Sequence, residues 1–240
     1  MQVLHQTMPA DSQSILEQLA LVEHERQQRA ADLSLAASVL RLKHYQQLRF
    51  ERSYADLLAD ERYAPAAQFF LEELYGPRDF SKRDAQFTRV VPALVRLFPQ
   101  EVVDTVATLA RLHALSEAFD SAMARHLRGG AVDRPAYALA WRQVGRVEDR
   151  EQQVELILDI GRSLDRLTRK PLLRRGLQLM RGPARSAGLS ALQAFLERGF
   201  DAFRTMRGAD QFLATIAARE RALAAALFAN TYSVAPADLP

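Results

Sequence analysis

The sequence contains no cysteine and no long apolar run. Among 240 residues without cysteine, no disulfide, thiolate metal ligand or cysteine nucleophile can form. No stretch approaches eighteen uninterrupted apolar residues, so we expect no membrane-spanning helix. The first twenty residues lack a basic leader followed by an apolar segment. This predicts that the chain has no secretory signal and is cytoplasmic.

The common catalytic and cofactor motifs are also missing. There is no glycine-rich phosphate loop, no GxGxxG, no GxSxG and no aspartate-rich run. No Glu-x-x-His pair occurs, although the di-metal sites of helical bundles use two such pairs. Signatures of helix-turn-helix, zinc-finger and RNA-binding folds are absent as well. The sequence therefore predicts no metal and no cofactor, and an enzyme is the less favoured class.

Lysine is scarce, and the basic charge is concentrated in the last third of the chain. Only three of the 32 basic residues are lysine. Residues 1–80 have 8 basic and 12 acidic side chains, whereas residues 161–240 have 13 and 6. The net charge thus changes from −4 to +7 between these two thirds, within a chain of net charge +3. An arginine-rich end of this kind gives weak support for a polyanionic partner.

Helix signals dominate what is present. Residues 11–64 contain neither glycine nor proline and are rich in Leu, Ala, Gln, Glu and Arg, which favour helices. No stretch shows the alternation of a strand, and no hairpin turn motif occurs. We predict an all-α fold, a single multi-helix bundle of about eight to ten helices. Residues 11–230 would form the domain, residues 1–10 a flexible N-terminus and residues 231–240 a loose C-terminal tail.

Several local signals predict where the helices begin and end. The first helices should cover residues 12–30 and 32–59, with Asp32 or Ser34 capping the second. "SKRD" has the pattern of a capping box, with Ser81 at the N-cap and Asp84 three residues later. Pro92 should kink or split the helix that follows. The segment "RGPARSAG", residues 181–188, is expected to be a mobile connection.

The run "FFLEELYGPRDFSKRD", residues 69–84, lies within a longer segment that resembles an uncharacterised bacterial family. The later runs "GLSALQAFLERGFDAF" and "GADQFLATIAARE" are similar to the C-terminal half of the same family. The resemblance implies one all-helical domain along the whole chain. It implies no activity, so no catalytic residue is transferred through it.

The same run supplies the first group of candidate binding residues. On the capping interpretation, its glycine, proline and serine shape the backbone, and its phenylalanines anchor the core. The charged residues that remain are Glu72, Glu73, Arg78, Asp79, Lys82 and Arg83, of which Glu72, Arg78, Asp79 and Arg83 are the candidate binding residues. They can form an anion-binding corner at a helix N-terminus or a solvated network of weak ion pairs. The capping pattern favours the structural interpretation.

A second candidate site lies on the helix expected over residues 100–127. His113, Glu117 and Asp120 stand at i, i+4 and i+7, so at 100° per residue they share a stripe with apolar residues. Buried polar groups need partners, and such a trio can serve as acid and base or ligate a metal. Alternatively, arginines from neighbouring helices neutralise the two carboxylates. The trio gives a weak candidate for catalysis.

A third candidate is the basic segment 162–185. It contains eight basic residues, among them Arg174 and Arg175, against the single acid Asp165, with leucines between them. A basic amphipathic segment can lie on an anionic membrane or follow nucleic-acid phosphates. It can also pair with the acidic N-terminal helices of the same fold.

Three hypotheses for function follow. The leading one is a non-enzymatic helical protein that acts by binding another protein or a second copy of itself. The first alternative is an enzyme or ligand carrier with a polar pocket around His113, Glu117 and Asp120. The second is a peripheral binder of anionic lipid or nucleic acid through residues 162–185.

Overall fold

The computed structural model describes residues 10–73, 80–127, 129–229 and 239–240, and these residues form helices with no strand. The predicted all-α multi-helix bundle is confirmed. Twelve helical segments occur in these ranges, ten of them nine residues or longer. They are α1 Ser12–Ala31, α2 Leu33–Ser53, α3 Ala55–Ala59, α4 Ala64–Glu73, α5 Ser81–Leu97, α6 Gln100–Leu127, α7 Arg134–Val144, α8 Val147–Thr168, α9 Pro171–Leu179, α10 Arg181–Ser186, α11 Ser190–Met206 and α12 Asp210–Phe228.

One of the predicted helix bounds is wrong. The helix expected over residues 32–59 is divided at Tyr54, where the backbone leaves the helical conformation. α5 continues through Pro92 and does not split there, since the buried Phe87 and Val91 hold it against the core; the alternative of a kink stays a prediction. Residues 181–186 of the predicted mobile connection form the helix α10, and the mobility of this connection stays a prediction.

The helix caps show one confirmed prediction and one error. Asp32 caps α2 as expected, since its side chain accepts hydrogen bonds from the backbone N–H groups of Ser34 and Leu35. The capping box at Ser81 and Asp84 does not form. Ser81 is already inside α5, and Phe80 occupies the N-cap position without a side-chain hydrogen bond. The Asp84 carboxylate instead pairs with arginine and histidine side chains in the interior, as described below.

α6 is the central element of the bundle. This helix of 28 residues contacts α1, α2, α5, α7 and α8. Because it is covered on several sides, its polar side chains at positions 113, 117 and 120 have partners from other helices within reach. The fold therefore brings the predicted polar stripe into the interior.

Three large apolar clusters surround α6. One joins α1, α5, α6 and α11 around Ile15, Phe87 and Phe195. A second joins α2, α6, α7 and α12 around Tyr137, Trp141 and residue Leu239. The largest joins α2, α3, α4, α8, α11 and α12. Leu239 is fully buried, and its carbonyl accepts a hydrogen bond of 2.7 Å from Arg134. The predicted domain boundaries stay predictions.

Candidate functional site

A narrow cavity of about 130 Å³ runs along the inner side of α6. Its wall on α6 extends from Val106 to Asp120, roughly 20 Å at 1.5 Å per residue. The end near Val106 has apolar walls, including Leu19, Phe87 and Leu192. The middle is lined by charged side chains, and the far end by aromatic rings.

Glu117 is the first of two neutralised carboxylates in the charged middle. It is 4% exposed and binds the guanidinium of Arg29 and the Lys43 ammonium, the latter at 2.5 Å. Arg29 also donates to the Glu117 carbonyl oxygen at 2.7 Å and to the Ser121 hydroxyl at 2.9 Å. Burial alone would raise the pKa of Glu117, but the charges of Lys43 and Arg29 outweigh it and lower this pKa to about 2.

Asp84 is the second neutralised carboxylate. Its oxygens lie 2.5 Å from Arg26 Nη2, 3.1 Å from Arg83 Nε and 2.7 Å from His113 Nε2. Burial opposes its ionisation, yet His113, Arg83 and Arg26 together hold the pKa of Asp84 well below its usual range. These three partners explain why Asp84 does not cap α5. The contact with Asp84 also fixes the ring of His113 by its Nε2 atom.

Asp120 differs from the other two acids. Its carboxylate accepts a hydrogen bond of 3.1 Å from Gln46 Nε2 and lies 3.6 Å from Lys43, which is closer to Glu117. Burial therefore dominates, with the charge of Glu117 adding to it, and the pKa of Asp120 is raised despite Lys43. Of the three carboxylates Asp84, Glu117 and Asp120, Asp120 is the one that most readily holds a proton.

Arg83 joins this centre to the corner between α4 and α5. It binds Glu73 Oε2 at 3.1 Å and is stacked over the rings of Phe80 and Phe195, at 4.1 and 4.7 Å from their centroids. Burial lowers the pKa of Arg83, although Asp84 opposes this shift. Glu73 also binds Arg198, so its carboxylate is neutralised from two sides.

Aromatic side chains surround a guanidinium at the far end of the cavity. Arg150 lies between Phe119 and Trp141, with its Cζ 3.6 and 3.7 Å from the two ring centroids. The Trp141 side chain is 8% exposed, and its indole N–H has no hydrogen-bond partner within the described part of the chain. The ring of Tyr137 contacts that of Trp141 in a tilted arrangement, with centroids 6.1 Å apart and an angle of 41° between the planes. Burial raises the pKa of the Tyr137 hydroxyl.

The structure brings the predicted trio together. His113, Glu117 and Asp120 all line the cavity, beside Lys43 from α2 and Asp84 from α5. Arg29 and Lys43 hold the Glu117 carboxylate, which is the outcome that the sequence analysis opposed to a catalytic role. Asp120 has no arginine partner in the described ranges: its carboxylate contacts Gln46 at 3.1 Å and the more distant Lys43 at 3.6 Å.

The candidate residues of the 69–84 run are distributed differently. Arg83 belongs to the cavity, whereas Glu72 lies nearer the surface and pairs with Arg198 at 3.2 Å. Arg78 and Asp79 lie outside the described residues. The corner therefore contributes Arg83 to the site, and Glu72 takes part in an outer ion pair.

The basic segment 162–185 lies elsewhere on the molecule. Arg174 is 3.6 Å from Asp201, and Arg175 is exposed. The acids that pair with the segment are Glu101, Asp165, Glu197 and Asp201, besides Asp159 for Arg162. Pairing with the acidic N-terminal helices does not occur within the described ranges, so that expectation is wrong.

Several cavity residues have no recognisable sequence signal. The position of Asp84 fits the capping-box pattern, so the sequence does not indicate its role in the interior. Tyr137 and Trp141 have the sequence pattern of ordinary core aromatics. Lys43 gives a faint signal, as a charged residue directly after the buried Leu42. Only the arrangement of helices shows that these residues meet.

The side chains that line the cavity determine which kind of ligand suits it. Where the structure is described, no group of three or more His, Cys, Asp or Glu side chains can hold a metal ion. The described helices include none that is both long and apolar enough to cross a bilayer. The cavity offers hydrogen-bond donors at its aromatic end and bound charges in its middle. That combination suits a small molecule with an accepting group.

Comparison with known proteins gives a family and no relative of known activity. No curated protein and no solved structure matches the chain. A family model described as "Domain of unknown function (DUF8198)" matches residues 25–234. This range contains α2 to α12 in full and α1 from Glu25 onward. Every helix that lines the cavity therefore lies within the matched range, apart from the first part of α1. The chain therefore belongs to the DUF8198 family, whose domain has no assigned function.

Proposed function

We propose that the protein is a carrier or sensor that binds a small molecule in the cavity along α6. The observation that carries this proposal is at Trp141, which lines the cavity and whose buried indole N–H has no partner within the described ranges. A buried donor that hydrogen-bonds to nothing costs about 1–3 kcal/mol. A bound ligand with an accepting group removes that cost.

The walls of the cavity indicate the class of ligand. At the aromatic end, the rings of Phe119 and Tyr137 can contact an apolar body, and Trp141 beside them can donate to an accepting group. Arg150 adds a cation beside Trp141, which favours a carboxylate over a neutral acceptor. The volume is close to that of an engineered cavity that holds one benzene ring. We therefore propose a compact carboxylic acid with an apolar body.

Binding is favoured over catalysis because the carboxylates that would act as acid or base are occupied. Glu117 is held by Arg29 and Lys43, and Asp84 by Arg26, Arg83 and His113. Such neutralised groups orient their neighbours and shape the cavity, but they have little capacity to exchange protons with a substrate. Asp120, with its raised pKa, is the exception.

The chain carries its own reporter for this proposal, because Trp141 is its single tryptophan. Benzoate should change the emission of Trp141 and raise the melting temperature at millimolar concentrations. The matched probes benzylamine and benzyl alcohol should bind at least tenfold more weakly. If benzoate changes neither signal, or if all three probes act alike, the proposed ligand class is wrong.

Substitution of Tyr137 separates a ligand contact from a structural contact. Tyr137→Phe should weaken benzoate binding several-fold while stability stays unchanged or rises, because the hydroxyl has no partner among the described residues. Tyr63→Phe is the matched control, since the Tyr63 hydroxyl donates to Gln211 at 2.9 Å. It should lose about 1 kcal/mol of stability with benzoate binding intact. A loss of stability in Tyr137→Phe with unchanged binding would contradict the proposal.

The hypothesis that the protein binds another protein or a second copy stays a prediction, as does the cytoplasmic location. Light scattering and a pull-down test the first, and a clean monomer with no captured partner counts against it. A fusion to a fluorescent protein tests the second.

A further inference from the structure

The helices α9 and α10 form an exposed basic surface that does not take part in the cavity. No residue of α9 is buried, and Ala184 is the buried residue of α10. Leu172 and Leu179 are each 78% exposed, and Met180 is 45% exposed. Three large apolar side chains on a short solvent-facing segment are unusual for a surface without a partner.

The two leucines point in the same direction. They are seven residues apart on α9, so at 100° per residue their directions differ by about 20°, at a separation of roughly 10 Å along the axis. Gly176 lies between them, and a Cβ placed on it would meet nothing within 4 Å. Arg175 stands beside this stripe. The exposed side of α9 is thus an apolar ridge with a cation along its edge.

The charge that remains unpaired along this ridge is positive. From residue 166 to residue 196 the chain has seven basic residues and no acidic one. Acids from neighbouring segments pair with Arg166, Arg169, Lys170, Arg174 and Arg181. Arg175 and Arg185 have no ion-pair partner within the described ranges. Two such surfaces would repel each other, which argues against a second copy of the chain as the occupant.

We propose that α9 and α10 bind the surface of an anionic lipid bilayer. Leu172, Leu179 and Met180 enter the boundary between headgroups and acyl chains, and Arg175 and Arg185 contact lipid phosphates. A basic helix with exposed leucines matches the chemistry of such an interface. Nucleic acid offers phosphates but no apolar layer for the leucines. This proposal is independent of the cavity ligand.

Vesicle sedimentation of the full chain tests the proposal. The protein should bind vesicles of phosphatidylcholine with phosphatidylglycerol, should not bind phosphatidylcholine alone, and should dissociate as salt is raised. Leu172→Gln with Leu179→Gln, and separately Arg175→Glu with Arg185→Glu, should each weaken binding about tenfold or more. Equal binding to the two vesicle types would overturn the proposal.

Matched controls separate lipid insertion from general effects of charge and apolar surface. Leu33→Gln with Leu40→Gln removes two exposed leucines of α2, and Arg111→Glu with Arg125→Glu makes the same charge change on α6. Both controls should bind vesicles like the wild type. If the α9 leucine variant also binds like the wild type while the arginine variant loses binding to both heparin and vesicles, the surface is a general polyanion site and the lipid proposal fails.

A fluorescence measurement tests insertion directly. In Leu179→Trp, the new indole should shift its emission to shorter wavelength when anionic vesicles are added, whereas the buried Trp141 of the wild type should not respond. Circular dichroism confirms that the variant is folded. If the protein sediments with the vesicles but its emission spectrum does not shift, α9 does not enter the interface.

Discussion

Glu117 shows how single residues determine the interior of this protein. The sequence predicted its inward direction from the shared stripe with His113 and Asp120, because helical spacing alone fixes which residues share a face. Its partners Arg29 and Lys43 could not be predicted, since they come from α1 and α2 and no sequence rule gives the order in which helices pack. The same limit explains why Asp84, with a plausible local role as a cap, was not recognised as an interior residue.

Glu117→Gln should destabilise the protein by about 3 kcal/mol at neutral pH. The change leaves the buried Arg29 and Lys43 without their carboxylate, and removal of one partner from a buried pair is far more costly than loss of an exposed pair. Chemical denaturation measures the difference. Glu155→Gln is the matched control, because its exposed pair with Arg221 should contribute less than about 1 kcal/mol. Equal effects of the two changes would contradict the structural role of Glu117.

The lowered pKa of Glu117 also predicts a dependence of stability on pH. A carboxyl with a folded pKa of about 2 and an ordinary value of 4.5 contributes its full stability above pH 4.5. That contribution is lost as the pH falls from about 4.5 to about 2, because the unfolded chain binds the proton first. Denaturation midpoints measured across this range should fall less steeply in Glu117→Gln than in the wild type. Parallel curves would show that Glu117 ionises alike in both states.

Whole helices were more predictable than their contacts. The bounds of α1 and α6 follow closely from composition and capping, because these are local properties of the chain. The break at Tyr54 and the helix α10 depend on what the segments pack against. The close contact between α8 and α12 likewise could not be predicted from the sequence. It takes place at Gly161, where an added Cβ would lie 2.4 Å from Leu213 Cδ2.

Gly161→Ala and Gly176→Ala should therefore have opposite effects. Both glycines lie within helices, so alanine adds up to about 1 kcal/mol of helix propensity at each position. At Gly161, however, the buried Leu213 must move, and overpacking of this kind typically costs about 1–3 kcal/mol. At Gly176 the space is open. Thermal melts should show Gly176→Ala at or above the wild-type melting temperature and Gly161→Ala below it. A gain in both would show that α8 and α12 are less closely packed.

At the scale of the whole molecule, the fold combines a densely packed centre with a lightly attached edge. α6 is covered by five helices, and its buried residues face apolar clusters and paired charges. α9 has no buried residue, although it contacts α8, α10 and α11. Free energies of local opening follow the number of buried contacts that must break. The two regions should therefore open in different ways.

Native-state hydrogen exchange should separate α6 from α9 and α10. Amides in the middle of α6 should exchange only through global unfolding, since their exposure requires the interior network and its surrounding helices to separate. Amides of α9 and α10 should exchange much faster, with opening free energies well below the global value. Anionic vesicles should slow exchange in α9 and α10 and leave α6 unchanged, whereas benzoate should slow exchange around the cavity and leave α9 unchanged. Equal protection of α6 and α9 in the free protein would contradict this division of stability between centre and edge.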